Sequence, residues 1–196
     1  MQDGTGGGHG TGILILTRRL AMRPAAPEDR IAIAALAAHP RVAETLAAAP
    51  GEGGGPDCMR LAIAAREDAA VVGEASWAAL PGKPGAMEIA AWIGEAHWGR
   101  GYATEAVQAL IDHVFGDGRT QFVWCATRAS SARSRRVVEK CGFQYRGTGM
   151  VRAASRSGAV PVERFVLERR NWESLKAWGA VIKPMEAGHA PRDNAA

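Results

Sequence analysis

The nine residues Trp98-Gly99-Arg100-Gly101-Tyr102-Ala103-Thr104-Glu105-Ala106 decide how this chain is read. An apolar run with strand character, Ile89-Ala90-Ala91-Trp92-Ile93, leads into them, and a periodic helix leaves them. Ala103, Ala106, Val107, Leu110, Ile111 and Val114 recur at three-and-four spacing, which marks one buried helix face. Gly116-Asp117-Gly118 then offers a glycine stop. A turn of small residues opening a helix leaves several backbone N–H groups without intrahelical partners, and the helix dipole adds partial positive charge there. Such an element suits a phosphate or pyrophosphate, although a Gly-x-Gly turn also serves simply to join a strand to a helix. Gly99 and Gly101 allow close approach to the backbone, and Ala103 intrudes little. The stretch is not a Walker loop, because no Gly-Lys-Ser/Thr ends it. Nor is it the dinucleotide fingerprint, which needs a third glycine.

The next segment narrows the choice. Phe122-Val123-Trp124-Cys125-Ala126-Thr127 reads as a buried strand. A polar helix start follows at Ser131-Ala132-Arg133-Ser134, and then Arg136-Val137-Val138-Glu139-Lys140-Cys141-Gly142-Phe143. Taken in order, "WGRGYATEA" and "SARSRRVVEKCGF" resemble the acyl-CoA-binding core of the GNAT superfamily of N-acetyltransferases. The nearer likeness is to the ribosomal-protein-alanine N-acetyltransferase-like branch. The opening "TRRLAMRPAAPEDRIAIAAL…HPRVAETL" resembles that branch's first strand and paired helices, so the similarity spans about residues 17–175.

Composition is consistent with one domain. A chain of 196 residues with 47% hydrophobic side chains can fill a sizeable core. No apolar run approaches the ~18 residues of a membrane span. Ile13-Leu14-Ile15-Leu16 is too short for a signal peptide and has no basic region before it. Cys58, Cys125 and Cys141 show neither metal-ligand spacing nor an even set, so no metal is expected and a reduced cytoplasmic setting is. The formal charge of +4 is mild and fits an anionic ligand without requiring one. The arginines are scattered and lack the aromatic interleaving of an RNA platform, which argues against nucleic acid.

Residues 1–12 and 183–196 read as disordered ends around a domain at 13–182. Strands are expected near 20–23, 59–66, 71–78, 88–93, 122–127, 143–153 and 160–167. Helices are expected from Pro27, after Pro40, from Gly101 and around Ser134, with a flexible loop at 51–56. In the 59–66 strand, Met59, Leu61 and Ile63 alternate with Arg60, Ala62 and Ala64. The fold class is α+β (α/β mixed). The resemblance makes it the GNAT fold, a mostly antiparallel twisted sheet splayed between its fourth and fifth strands, with helices on both faces.

The resemblance also implies a site. Acetyl-CoA, the co-substrate, would lie in the splayed gap, its pantetheine arm along Ala91, Trp92 and Ile93 and its pyrophosphate on Gly99, Arg100, Gly101, Tyr102, Ala103 and Thr104. Arg100 is either a cation near a phosphate or a solvated arginine. Arg136 falls where the branch carries arginine and would approach the adenosine end, whereas Arg133 and Arg135 read as surface charge. Ser131 stands where the branch commonly has Asn, and Val138 where other members have a general-acid Tyr. Glu88 falls where many members place a base carboxylate, and its alternative is a strand-edge glutamate in water. Ser134 aligns with a serine that bonds the CoA sulfur, and it is equally a plain helix N-cap or first-turn serine. Glu163 is an alternative acceptor-facing carboxylate, with solvated surface the stronger reading. Cys125 reads as an inert buried residue, which favours direct transfer in a ternary complex.

The expected activity is therefore acetyl transfer from acetyl-CoA to a primary amine, either a protein N-terminus or a small molecule, by a monomer or homodimer. The alternative is a non-catalytic acyl-CoA-binding sensor. A one-residue slip of register would turn Glu88 away from the gap.

Overall fold

The computed structural model describes residues 13–47, 57–152 and 158–178. Both expected disordered ends, and the loop at 51–56, lie outside the described residues. One eight-stranded sheet organises the chain: β1 (Ile15–Leu16), β2 (Leu20–Pro24), β3 (Met59–Ala65), β4 (Val71–Ala79), β5 (Ala86–Ile93), β6 (Phe122–Arg128), β7 (Gln144–Arg152) and β8 (Ala159–Glu168), in spatial order 1-2-3-4-5-6-8-7. Every neighbouring pair is antiparallel except β5 and β6, which run parallel. Parallel neighbours need a crossover, and α3 (Tyr102–Phe115) supplies it. The short β1 precedes the first expected strand, so the expected fourth and fifth strands are β5 and β6.

The other helices are α1 (Pro27–Ala38), α2 (Pro40–Ala43), α4 (Ala132–Lys140) and α5 (Arg169–Trp178). The periodic residues of α3 fill the core: Ala106, Val107, Leu110, Ile111 and Val114 are buried against Ile63, Ile89, Ile93, Val123 and Phe165. The opposite sheet face carries α1, whose Leu36 side chain lies against Gly94. Asp29 explains how α1 starts without a capping side chain at Ala26. Its carboxylate accepts the Ala26 N–H at 2.8 Å and is gripped by the Arg23 guanidinium, which holds it below the usual carboxylate range.

One local expectation changes, one holds in detail, and one element is added. Alternation in β3 stops at Leu61, beyond which every residue is buried, so both faces of the strand are covered; α1 packs on the neighbouring β4. The stop after α3 begins at Gly116 with ordinary right-handed geometry (φ −62°), and the left-handed turn falls at Gly118. Helix α5 is an addition. Its sequence is polar, and it is anchored by Trp172, which stacks near Phe115 and donates its Nε1–H to Asp112 at 2.7 Å. Among the described residues no helix is long and apolar enough to cross a membrane, and no cluster of three metal-ligating side chains occurs.

Candidate active site

β5 pairs β6 over three rungs only: Ala86 with Phe122, Met87 with Val123 and Glu88 with Trp124. Beyond Glu88 the strands part. β5 stays with β4 as far as the Gly73–Ile93 pair, and β6 stays with β8 along its whole length. The result is a fork, closed at Glu88 and open towards the glycine turn.

The polarity of the fork edge follows from the ladder. Leu80 N–H donates to Ala86 C=O at 2.9 Å and Gly94 N–H to Val72 C=O at 2.8 Å. Even-numbered β5 residues thus turn their backbone groups to β4, and Ile89 and Ala91 turn theirs into the fork. Of the three residues expected to line the pantetheine arm, Ala91 presents such an edge. The backbone of Trp92 belongs to the β4 ladder opposite Glu74. Ile93 C=O accepts the Trp98 Nε1–H at 2.7 Å, which ties the turn to the end of the strand.

At the open end, Gly99 (φ +77°) and Gly101 (φ +80°) take left-handed conformations that favour glycine. A Cβ at Gly99 would meet nothing within 4 Å, so the space beside Gly99 is open, whereas one at Gly101 would come within 3.3 Å of Arg19 Nη2. The first bond of α3 is Glu105 N–H to Gly101 C=O at 3.1 Å, which leaves the N–H groups of Tyr102, Ala103 and Thr104 without intrahelical acceptors. Glu105 fixes this end by accepting from Thr17 Oγ1 (2.6 Å) and Arg19 N–H (2.8 Å), and Arg19 Nη1 also donates to Arg100 C=O at 2.7 Å. Arg100 is exposed, whereas Tyr102 is packed in the core under the Arg19 guanidinium. Arg18, Arg19, Arg66, Glu67 and Tyr102 line a depression of about 360 Å³ beside the turn. A second depression, about 410 Å³, lies at the far end of β5 around Lys83 and Arg119, away from the turn.

Across the fork, Ser131 caps α4 by accepting the Ser134 N–H at 3.3 Å, and the two hydroxyls lie 2.8 Å apart. Ser131 and Ser134 are thus in direct contact, with Ser131 as the cap. Val138 is buried in the core, and Arg136 is exposed. Arg135 is a surface residue paired with Glu139 and Glu163, each at 2.8 Å. Arg133 is exposed, as expected of surface charge, and it also has an aromatic neighbour. Its guanidinium reaches the Trp98 ring (5.0 Å to the centroid), whose other arginine neighbour is Arg41 at 5.6 Å.

Register settles the side of Glu88. It shares a sheet face with Ala78, Trp124 and Trp92, opposite the face where Ile89 and Ile93 pack on α3. Half-buried at the base of the fork, its carboxyl is pushed above the usual range by burial, an effect opposed by Arg164. Glu163 lies on the other face, bound to Arg135. Cys125 is buried and its thiol pKa is pushed up by burial, with Cys141 and Glu88 adding to the shift. Cys141 is likewise pushed up to about 12 by burial. Two residues of the fork base carry no signal in the sequence. Arg164 and Lys83 look like ordinary surface cations there, and only strand pairing and the β4–β5 turn bring them to Glu88 and Trp124.

Comparison with known proteins agrees with this geometry. Residues 19–144, more than half the chain, match the family described as Acetyltransferase (GNAT) domain. The "Uncharacterized N-acetyltransferase p20" of Bacillus licheniformis is 26% identical over 113 residues, 58% of this chain and 64% of that protein. The matched stretch thus spans slightly less than two thirds of that relative. A GCN5-related N-acetyltransferase from Brucella melitensis superposes with a TM-score of 0.69 at 17% identity, covering 84% of this chain and 82% of that one. The RimL ribosomal L7/L12 alpha-N-protein acetyltransferase superposes at 0.64 and 17% identity, covering 80% and 94%. These structural likenesses concern the fold. With the forked sheet, the glycine turn and the family match over residues 19–144, the chain belongs to the GNAT acetyltransferase family.

Proposed function

We propose that the protein transfers an acetyl group from acetyl-CoA to a primary amine, on a protein N-terminus or a small molecule, in a ternary complex without a covalent enzyme intermediate. The observation that carries this reading is the fork, whose unpaired β5 edge runs from Glu88 to a turn of free N–H groups. The residues present fit the cofactor. Ile89 and Ala91 offer backbone hydrogen bonds to an amide-bearing arm, the Gly99–Thr104 turn offers donors to a pyrophosphate, and Arg100, Arg136 and Ser131 supply polar contacts around it. Bound there, acetyl-CoA supplies an activated acyl group.

The chain's own residues do the rest. Glu88 takes the proton that the acceptor ammonium must lose, directly or through one water, and its raised pKa makes it a better base than an ordinary carboxylate. A β5 N–H facing the fork donates to the acyl oxygen as negative charge develops there. Ser134, held by Ser131, provides a hydroxyl for the sulfur. A general acid at position 138 is absent, because that position is a buried valine. Protonated and buried, Cys125 is a poor nucleophile, which supports direct transfer.

The test is calorimetric titration with acetyl-CoA followed by CoA release with and without a panel of amines. Binding with amine-dependent release is the expected result. Binding with no release would favour an acyl-CoA sensor, and absence of binding would overturn the reading.

A further inference from the structure

We propose that the acceptor carries a carboxylate within a few bonds of its amine and that Arg164 holds that carboxylate. The inference rests on the acetyl-transfer reading above and adds the substrate class.

β8 pairs β6 with Val166 opposite Trp124 and Arg164 opposite Ala126. Arg164 therefore lies on the face of Glu88, one same-face position nearer the open end of the fork. By strand geometry the two Cα atoms stand roughly 12 Å apart, a gap their side chains can flank around a small acceptor. On β6 between them stand Trp124, opposite Glu88, and the small Ala126, opposite Arg164. On its outer side Arg164 pairs with Gly147 of β7, and a Cβ added to Gly149 would come within 3.0 Å of Arg164 Nε, so small residues leave room for the guanidinium there. Arg164 is exposed and so is open to a ligand.

Charge on this face selects the ligand. Glu74 is engaged by Arg60 at 3.5 Å, and Glu168 by Arg146 at 3.2 Å and Arg170 at 2.7 Å. The groups left around Glu88 are basic. Lys83 places its Nζ 4.5 Å from the Trp124 ring centroid, and Arg128 and Arg164 follow along the same face. An ammonium with no compensating charge enters a site in which Arg164 is the cation that acts on Glu88. A carboxylate on the acceptor removes that repulsion and gives Arg164 a two-pronged partner. The acceptor carboxylate stays ionised throughout, and its bonds are unchanged.

Two matched pairs of acceptors test this by CoA release: a short peptide beginning Ser-Asp against the same peptide beginning Ser-Asn, and a free amino acid against its amide. The expected result is a preference of at least about tenfold in kcat/KM for the carboxylate member of one pair. Which pair responds tells a protein N-terminus from a metabolite. Arg164→Gln should bring that ratio close to one while leaving acetyl-CoA affinity intact, and Arg164→Lys should restore part of it. Equal use of both members of both pairs, or a preference that survives Arg164→Gln, overturns the inference and leaves acetyl transfer standing. Bound acetyl-CoA with no turnover of any member removes both readings.

Discussion

The two edges of β5 behave differently. Against β4 it pairs without a break from Ala79–Met87 to Gly73–Ile93, and against β6 it pairs for three rungs and then leaves. The closed edge is drawn so tight that a Cβ on Gly73 would lie 2.0 Å from the Trp92 carbonyl oxygen. The open edge leaves Ile89 and Ala91 with backbone groups facing a gap. Unpaired backbone groups inside a sheet are costly unless something bonds them, so one edge serves stability and the other, in the function proposed above, ligand contact. The contrast arises because β5 follows β4 while β6 keeps full register with β8.

The sharpest way to separate the two roles is Glu88→Gln. Loss of a general base should cut kcat by about 10²–10⁴-fold with acetyl-CoA affinity unchanged, measured by CoA release and calorimetry. Stability should not fall with it. A carboxyl whose folded pKa is raised contributes its stability fully below the unfolded pKa and loses it as pH rises through the folded pKa. At neutral pH the Gln variant should therefore melt at or above wild type. In wild type, kcat should rise with pH through an inflection above the ordinary carboxylate range. Arg164→Gln should move that inflection higher still, because Arg164 opposes the shift.

The closed edge breaks at Gly73. Gly73→Ala forces a methyl onto the Trp92 carbonyl and should destabilise by about 3 kcal/mol, read in a chemical melt. At the open end, Gly99→Ala meets no neighbouring atom and should cost only about 1 kcal/mol for the left-handed backbone. Its larger effect should be on acetyl-CoA affinity, because the added methyl enters the space over the turn. The smallest effect is expected at Ser131→Ala, which loses the α4 cap for about 1 kcal/mol and frees the Ser134 hydroxyl. Equal loss of stability at Gly73 and Gly99 would abolish the distinction between the edges.

Much of this contrast is legible along the chain. The α3 periodicity, the left-handed glycines of the turn and the serine cap of α4 are local demands that neighbouring residues state by themselves. Helix α5 is harder to read, because its anchor is one tryptophan reaching Phe115 and Asp112 from far along the chain. β1 is two residues long and makes sense only against Met22 and Ala21. Arg133 reads as solvated charge because its partner Trp98 lies on another element.

By itself the sequence determined the glycine turn, the helix that follows it, the succession of strands along the chain and the family resemblance. These depend on backbone conformation and hydrophobic spacing within a few residues of each other. The resemblance implied that β5 and β6 part; tertiary structure alone decided that they do so after Glu88, that Glu88 faces away from α3, that Arg164 joins it and that Lys83 lies over Trp124. Those facts are matters of register between distant strands. A shift of one residue would reverse every side chain on a strand, and nothing local to Glu88 or Arg164 fixes that choice.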